Sequence, residues 1–345
     1  MGKTERGRRR HKGVGRVTLG DVAKHAGVAP ITVSRVMNNP DQVSEKLRKR
    51  VEQAVDALGY VPNLIAGGLA SAGTRVIPVI VPSLSILTYI DVIHGIQQTL
   101  EDTGYQLLLG STDFDLDREA ALIDTVLGYS PSGIIIAGLR HRERAIQRLE
   151  ACQRPVVEIM EYGASCIDSN VGVDNAEVGR CMARHLVERG YRRIAYVGSR
   201  MDRDYRTIQR YEGHREMLEL AGIDGSRLLQ NDEAASYKTG GRLFMEAMAS
   251  YPDLDAIHFT NDNLAAGAIL EANRRGIRVP DDIAVAGYLG LPLSECLTPA
   301  LTTVSVPRFE MGVQAAKFLL ARLDGEQGEA LRCDIGFELI VRDST

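Results

Sequence analysis

Apolar side chains recur at the three- and four-residue spacing of an α-helix in three segments between residues 17 and 60. Thr18 can cap the first helix, and Gly27 allows a tight turn after it. The second helix begins near Pro30, whose fixed φ suits a first helical turn, and Ser44 can cap the third. The positions predicted to face inward are Leu19, Val22, Ala23, Ala26, Val33, Val36, Met37, Val51, Val55 and Leu58. Two short helices around a glycine, packed on a third, form a helix-turn-helix unit.

The outward face of the second predicted helix carries hydrogen-bonding side chains together with one large apolar residue. Thr32 and Ser34 suit phosphate oxygens, and Arg35 can form paired hydrogen bonds with O6 and N7 of guanine. Ile31 offers only apolar contact, for example with the methyl group of thymine. Any small three-helix domain can show this periodicity, so the pattern alone does not distinguish a DNA-binding unit from an ordinary three-helix domain.

From residue 76 onward, short apolar segments alternate with amphipathic helical segments. "VIPVIVP", "YQLLLGST", "GIIIAG" and "PVVEIM" make a first series, and "RIAYVGS", "AIHFTND" and "IAVAGY" belong to a second. Short apolar strands separated by helices of this length predict parallel sheets covered on both faces. Two such series predict two lobes, with a ligand in the cleft near the carboxyl ends of the strands.

Composition narrows the class of protein. The chain has 345 residues, 44% hydrophobic and 25% charged, which is typical of two or three globular domains. It contains no apolar run long enough to span a membrane, and its basic N-terminus is not followed by the apolar stretch of a secretory signal. The five cysteines are scattered and odd in number, which argues against a disulfide framework or zinc site and favours a reducing cytoplasm.

Charge is distributed unevenly along the chain. Residues 1–60 contain 13 Lys and Arg against 6 Asp and Glu, a formal charge of +7, whereas the rest of the chain carries −11. A basic module on an acidic body is typical of a head that binds a polyanion. Residues 1–16 are rich in glycine and arginine and have no apolar period. We expect them to form a disordered basic tail until they contact a partner.

The stretch "VTLGDVAKHAGVAPITVSRVMN", residues 17–38, closely resembles the DNA-binding head of the LacI–GalR repressor family. The resemblance continues through "VPNLIAGGLA" and the body, and so covers nearly the whole chain. It implies a helix-turn-helix head at residues 17–60 whose DNA-binding positions are Thr18, Leu19, Pro30, Ile31, Thr32, Ser34, Arg35 and Asn38. Ala29 stands where the family often has serine, so a helix cap worth about 1 kcal/mol is lost there.

The resemblance assigns residues 61–72 to a hinge. In the family this segment forms a helix on operator DNA, where a leucine wedges into the minor groove and kinks the duplex. Leu69 matches that leucine, and Asn63, Ala66 and Ala70 match other contact positions. Gly67 and Gly68 each cost roughly 1 kcal/mol in a helix, so we expect little hinge order without DNA. A plain flexible linker is the alternative.

Residues 73–345 resemble the two-lobed periplasmic sugar-binding fold that the family uses for effector binding and dimerisation. The resemblance implies that "VPRFEMGVQAAKFLLARL" returns to the first lobe. The sequence ends in "ELIVRDST" without a leucine heptad, so a dimer is expected on a pseudo-palindromic operator. The expected fold class is therefore an all-α head and hinge helix joined to an α/β effector domain with parallel sheets.

Several residues of the body match positions that bind effectors in the family. Arg210 aligns with an arginine that holds ligand hydroxyls or carboxylates, and Arg206 precedes it by one helical turn. An arginine paired with Glu212 or Glu216 is the structural alternative. In "FTNDNLAAGAI", Asn261 is expected to bind the ligand and Asp262 to support the site.

Two departures from the family pattern bear on the ligand. Leu289 replaces an aspartate that normally accepts hydrogen bonds from sugar hydroxyls, and Met160 replaces an acidic residue. Losing carboxylates while keeping arginines favours an anionic ligand, although Glu158 and Glu161 beside Met160 limit this argument. "PVVEIM", "VGVDNAEVG" and "SYKTG" look most like the gluconate-operon repressor branch, which senses sugar acids. The expected effector residues are Tyr89, His141, Glu158, Arg206, Arg210, Asn261, Tyr288 and Leu289.

The sequence therefore predicts a cytoplasmic repressor that responds to a sugar acid of the gluconate or 2-ketogluconate type. A neutral or phosphorylated sugar is the competing effector. A transport protein with the same two-lobed fold is a less favoured alternative, because the chain has a basic head and no signal peptide. Without a GxSxG, P-loop or HExxH motif we expect no catalysis, and no cofactor or metal is expected.

Overall fold

The computed structural model describes residues 17–38, 40–61, 74–84 and 87–345. The chain divides into two compact units between Thr74 and Arg75. The predicted basic tail, the hinge positions Asn63, Ala66, Leu69 and Ala70, and the side chain of Asn38 lie outside the described residues. Within the described part, no helix combines the length and the apolar composition needed to cross a bilayer.

The first unit contains the three predicted helices, α1 (Leu19–Ala26), α2 (Pro30–Asn38) and α3 (Glu45–Leu58). Thr18 caps α1 as predicted: its hydroxyl accepts from the Asp21 N–H, and the Asp21 carboxylate accepts from the Thr18 N–H at 2.8 Å. Gly27 ends α1 in the left-handed conformation. Ser44 occupies the predicted N-cap position of α3, but its side chain makes no capping hydrogen bond.

A small core joins these helices. Its fully buried members are Val22, Ala23, Ala26, Val33, Val36, Val51 and Ala54. Leu19, Met37, Val55 and Leu58, which were also expected to face inward, are only partly buried at its edge. The apolar stripe of each helix therefore faces the other two, and the polar side chains of α2 remain on the surface.

The second unit contains two six-stranded sheets. The first has the order β11-β5-β4-β3-β1-β2 and the second β12-β10-β9-β8-β6-β7, and every pairing is parallel except that of β10 with β12. The strands are β1 (Val76–Val81), β2 (Gln106–Ser111), β3 (Ile134–Ala137), β4 (Val156–Ile159), β5 (Ser169–Gly172), β6 (Ile194–Ser199), β7 (Leu228–Asn231), β8 (Ala256–Phe259), β9 (Ala284–Leu289), β10 (Thr302–Ser305), β11 (Leu331–Asp334) and β12 (Glu338–Ile340). The two sheets define an N-terminal lobe and a C-terminal lobe, as predicted.

Helices connect the parallel strands and cover the sheets. They are α4 (Leu87–Leu100), α5 (Leu116–Leu127), α6 (Glu143–Ala151), α7 (Asn175–Glu188), α8 (Tyr205–Leu220), α9 (Tyr237–Ser250), α10 (Asp262–Arg275), the single turn α11 (Leu293–Cys296) and α12 (Arg308–Leu323). Helix α12 packs against α4 and the first sheet, so the predicted return to the N-terminal lobe is confirmed. The chain passes between the lobes after β5, after β10 and after β11.

Helices α7 and α8 cross at backbone contact distance. A Cβ added to Gly179 of α7 would lie 1.9 Å from the carbonyl oxygen of Arg210, and one added to Gly213 of α8 would lie 2.0 Å from that of Ala176. Only glycine fits on both sides of this crossing. The crossing fixes the part of α8 from which Arg210 projects.

Candidate functional site

A cavity of about 320 Å³ lies where the carboxyl ends of the strands of both sheets meet. Its lining comes from the residues that follow β1, β2, β4, β5, β6, β7 and β8, and from the end of β9. This is the position at which open parallel sheets bind ligands, because the strand-to-helix loops of neighbouring strands converge there. The cavity volume is within the range of small-molecule sites.

Most of the predicted effector residues line this cavity. Those that do are Tyr89, Arg206, Arg210, Asn261, Tyr288 and Leu289. His141 and Glu158, which were predicted to join them, do not line it. These two residues belong instead to a separate buried cluster in the N-terminal lobe.

Arg210 is held by uncharged partners. Its Nη1 donates to the Asn175 side-chain oxygen and its Nη2 to the Thr207 hydroxyl, both at 2.7 Å. Its guanidinium also lies over the ring of Tyr288. In the described part of the chain neither Glu212 nor Glu216 bonds to it, and Glu216 instead accepts from Arg180 at 2.9 Å. The positive charge of Arg210 is therefore not cancelled by a direct ion pair.

Arg206 is bound to one carboxylate and one hydroxyl. Its Nε donates to Asp204 at 2.8 Å and its Nη2 to the Tyr89 hydroxyl at 3.2 Å, a contact that joins the two lobes. Burial opposes ionisation of Asp204, but Arg206 and Arg210 outweigh this effect and lower the pKa of that carboxyl. Burial raises the pKa of the Tyr89 hydroxyl to about 12, so this group stays neutral.

Leu289 lies in the cavity wall at a strained backbone position. Its φ is 123°, a region that side chains other than glycine rarely adopt. The guanidinium of Arg308 donates to the Leu289 carbonyl and also bonds to Asp91 of α4, at 2.8 Å through Nη2. A buried arginine therefore holds the backbone of β9 to the N-terminal lobe at the point where Leu289 lines the cavity.

Asn261 and Asp262 divide their roles between the cavity and the fold. Asn261 lines the cavity and caps α10, because its side-chain oxygen accepts from the Leu264 N–H at 3.1 Å. Asp262 is fully buried and accepts from the Leu291 N–H at 2.8 Å and from the Thr303 hydroxyl at 2.7 Å. These bonds anchor the segment after β9, in agreement with the expected supporting role of Asp262.

His141 and Glu158 belong to a buried triad with Glu119. The Nδ1 of His141 lies 2.7 Å from Glu119 and its Nε2 lies 3.2 Å from Glu158, while Glu158 also accepts from the Ile167 N–H at 2.6 Å. Burial opposes protonation of His141, but bonds to the two carboxylates more than offset it and raise its pKa to about 9. The triad ties α5 to β4 and leaves neither predicted residue available to a ligand.

Glu161 forms a clasp between the lobes instead of facing the ligand. It accepts from the Tyr205 hydroxyl and, at 2.8 Å, from the Gln209 side-chain nitrogen, both on α8. The Tyr205 oxygen in turn accepts from the N–H groups of Leu139 at 2.8 Å and Arg140 at 3.1 Å. Glu158 and Glu161, which limited the argument for an anionic ligand, thus both bond to groups outside the cavity lining.

Several residues that line the cavity were not predicted from the sequence. They are Thr88, Asp113, Phe114, Asn175, Arg200, Asp204, Thr207 and Asn263. Each follows the end of a strand, which is the signal that could have found it. Polar residues at strand ends are common, however. Only the tertiary structure, in which the two lobes meet, shows which of them line the cavity. Asp113 and Arg200 form an ion pair of 3.7 Å across the lobes.

The head carries an exposed surface on α2. Pro30, Ile31 and Arg35 are exposed, with 70% of Ile31 accessible, while Thr32 and Ser34 are partly buried. Val33 and Val36 hold the opposite side of α2 in the core. The first helical turns of α2 therefore present one large apolar group and one guanidinium outward, the two kinds of group that read base edges in a major groove.

A helix-turn-helix head joined to a two-lobed ligand-binding core defines the class of ligand-responsive DNA-binding regulators. The family model for bacterial regulatory proteins of the lacI family matches residues 18–63, and the model for a periplasmic binding protein-like domain matches residues 183–345. The chain is 40% identical over 332 residues to the HTH-type transcriptional regulator GntR of Pseudomonas aeruginosa, covering 96% of each chain. It is 37% identical to GntR of Escherichia coli, covering 94% of this chain and 97% of that one.

Solved structures show the same relationship. A LacI family transcriptional regulator from Silicibacter pomeroyi has a TM-score of 0.88 at 37% identity, covering 95% of this chain and 99% of its own. The lac repressor dimer bound to operator and an anti-inducer has a TM-score of 0.76 at 26% identity, covering 95% and 98%. The chain belongs to the LacI family and is a DNA-binding transcriptional regulator.

Proposed function

We propose that this regulator is a dimeric repressor whose affinity for operator DNA is controlled by a sugar acid of the gluconate or 2-ketogluconate type. The observation that carries the proposal is the charge of the cavity. Arg206 and Arg210 are both buried there, and Asp204 is the one carboxylate that bonds to either of them among the described residues. Asp113 and Arg200 offset each other at the cavity edge.

This charge pattern favours a ligand with one negative charge. Two arginines against one aspartate leave a net positive charge in a poorly solvated space, where a carboxylate gains more than in water. Leu289 adds no charge where the family has an aspartate. The asparagines Asn175, Asn261 and Asn263 and the hydroxyl of Thr207 provide neutral groups suited to the hydroxyls of a sugar chain. The resemblance to relatives named GntR supports the same branch.

The surface of the N-terminal lobe supports a dimer. Strand β2 lies at the edge of the first sheet, and its Leu108 and Leu109 are exposed. A surface groove beside them is lined by residues of β2 and α4. An exposed apolar edge of this kind needs a covering partner. A second copy of the chain would cover it and place two heads on a pseudo-palindromic operator at the bacterial nucleoid.

Five candidate effectors and one selected operator test the proposal. An operator is enriched from random duplexes with the full-length protein, and its affinity is measured by fluorescence anisotropy with D-gluconate, 2-ketogluconate, D-glucose or D-ribose added. We expect the acids alone to change operator affinity. D-glucose 6-phosphate serves as the phosphorylated control. A response to a neutral or phosphorylated sugar but not to the acids would contradict the proposal.

A further inference from the structure

Three polar groups of the cavity walls lack a partner. In the described part of the chain, the Nη1 of Arg206, the Nε of Arg210 and the hydroxyl of Thr88 are buried without a hydrogen-bond partner, and the three residues are 5%, 6% and 4% exposed. A buried donor without an acceptor is costly, and native proteins leave few of them. All three side chains line the effector cavity, so a ligand atom is the available partner.

The surroundings of these groups favour an anion. The other nitrogens of Arg206 are already used, Nε by Asp204 and Nη2 by Tyr89, so Nη1 is the donor that remains. Thr88 lies in the first turn of α4, where backbone N–H groups have no acceptor within the helix and the helix dipole attracts negative charge. An arginine nitrogen, a hydroxyl and a helix N-terminus together provide the donors that a carboxylate requires.

Arg210 has different surroundings from Arg206. Two of its nitrogens donate to Asn175 and Thr207 at 2.7 Å, its Nε is buried without a partner, and its guanidinium lies over the ring of Tyr288. These neighbours all belong to the C-terminal lobe, whereas Arg206 also bonds to Tyr89 of the N-terminal lobe. Arg206 and Thr88 together provide unpartnered donors from both lobes.

We propose that the carboxylate of the effector binds in a subsite formed by Arg206 Nη1, the Thr88 hydroxyl and the N-terminus of α4, while its hydroxyl chain faces Arg210 and Asn261. This inference rests on the proposed sugar-acid function. Arg206 comes from the C-terminal lobe and Thr88 from the N-terminal lobe, so one carboxylate bonds to both. The acid group is thereby the part of the ligand that changes the relative position of the lobes, and hydroxyls alone do not replace it.

The test compares an acid with a neutral polyol of the same carbon number. Binding of D-gluconate and D-glucitol to the full-length protein is measured by calorimetry for the wild type, Thr88→Val, Thr88→Ser and Arg210→Lys. The double variant Asp204→Asn with Arg206→Met removes the arginine without leaving a buried aspartate unpaired. Circular dichroism melting confirms that each variant is folded.

We expect Thr88→Val to weaken gluconate binding about tenfold, the loss typical of one hydrogen bond to a charged group, with D-glucitol unaffected. Thr88→Ser keeps the hydroxyl and the affinity. The double variant loses the preference for the acid entirely. Retention of that preference in Thr88→Val and in the double variant would overturn the subsite, and its loss in Arg210→Lys would then place the carboxylate on Arg210. A wild type without any preference for the acid would overturn the proposed function and the subsite together.

Discussion

The guanidinium carbon of Arg210 lies 4.2 Å from the centre of the Tyr288 ring. The tyrosine comes from the end of β9 and the arginine from α8, so the stack joins a strand end to a helix across the cavity floor. The ring face attracts the cation and fixes the plane in which its N–H groups point. The Arg210 guanidinium is therefore held in one orientation at the cavity wall.

The stack predicts that the ring of Tyr288 matters more than its hydroxyl for placing Arg210. Tyr288→Phe keeps the ring face, and we expect it to leave gluconate affinity within about twofold of wild type. Tyr288→Leu removes the face, and we expect affinity to fall about tenfold. Calorimetric titration with D-gluconate measures both. Equal losses in the two variants would assign the effect to the hydroxyl instead.

The position of Leu289 in the cavity wall predicts that gluconate affinity is sensitive to a charge there. Leu289→Asp places a carboxylate in the cavity wall, where it repels an acid ligand and competes for the arginines. Leu289→Asn has nearly the same size and no charge, and it serves as the matched control. We expect the aspartate variant to bind gluconate at least about tenfold more weakly than the asparagine variant. Similar affinities in the two variants would count against a carboxylate ligand near this wall.

The buried triad predicts a loss of stability at alkaline pH. The pKa of His141 rises from 6.5 to about 9 on folding, so the protonated form contributes up to about 3 kcal/mol. This contribution is complete below the unfolded pKa and is lost as pH rises through about 9. We expect the melting temperature of the effector domain to fall between about pH 7 and pH 10.

Glu119→Gln is the variant that checks this assignment. It removes one of the two carboxylates that bond to His141, so melting should occur at a lower temperature near neutral pH, with a smaller decline toward high pH. An alkaline decline that is identical in wild type and variant would show that other groups cause it.

Ile31 predicts a thymine in the operator half-site. With 70% of its surface exposed on α2, its side chain can contact only an apolar group of a base edge, and the thymine methyl is the one available. Replacing that thymine with deoxyuridine removes the methyl alone, and we expect binding to weaken by about 1 kcal/mol. In Ile31→Ala the two duplexes should bind equally. A preference for thymine that persists in Ile31→Ala would exclude this contact.

Arg35 predicts discrimination between bases rather than general affinity. Arg35→Ala should cost about 1–3 kcal/mol on the selected operator and much less on random duplex DNA. Competition anisotropy at fixed salt measures both affinities. Parallel losses on the two kinds of DNA would assign Arg35 to the phosphate backbone.

The three helices of the head and the alternation of strands and helices in the body could be predicted from the sequence, because both depend on the local spacing of apolar residues. Thr18 and Asp21 are three residues apart, so a capping box can be recognised in the string itself. Arg210 was identified by the resemblance to the family, whereas Asn261 was found at the end of a predicted strand. In such cases the helical or strand periodicity of the sequence indicates where a side chain lies before any tertiary contact is known.

The predictions that failed depend on contacts between distant segments. His141 follows a strand end, as the cavity residues do, but Glu119 and Glu158 enclose it within the N-terminal lobe. Glu161 was expected to bring negative charge to the ligand, and instead it bonds to Tyr205, 44 residues away in sequence. No local pattern shows which carboxylate bonds to groups outside the cavity, as Glu161 does, and which bonds to an arginine in the cavity wall, as Asp204 does.

The crossing of α7 and α8 has a consequence for mechanics. With Gly179 and Gly213 each against the backbone of the other helix, neither helix can slide or roll without a collision. Sliding of the helix that carries Arg206 and Arg210 is therefore blocked within the C-terminal lobe. We expect any rotation between the lobes to occur at their three connections, and we expect a gain of one methyl group at Gly179 to disturb the cavity from outside its lining.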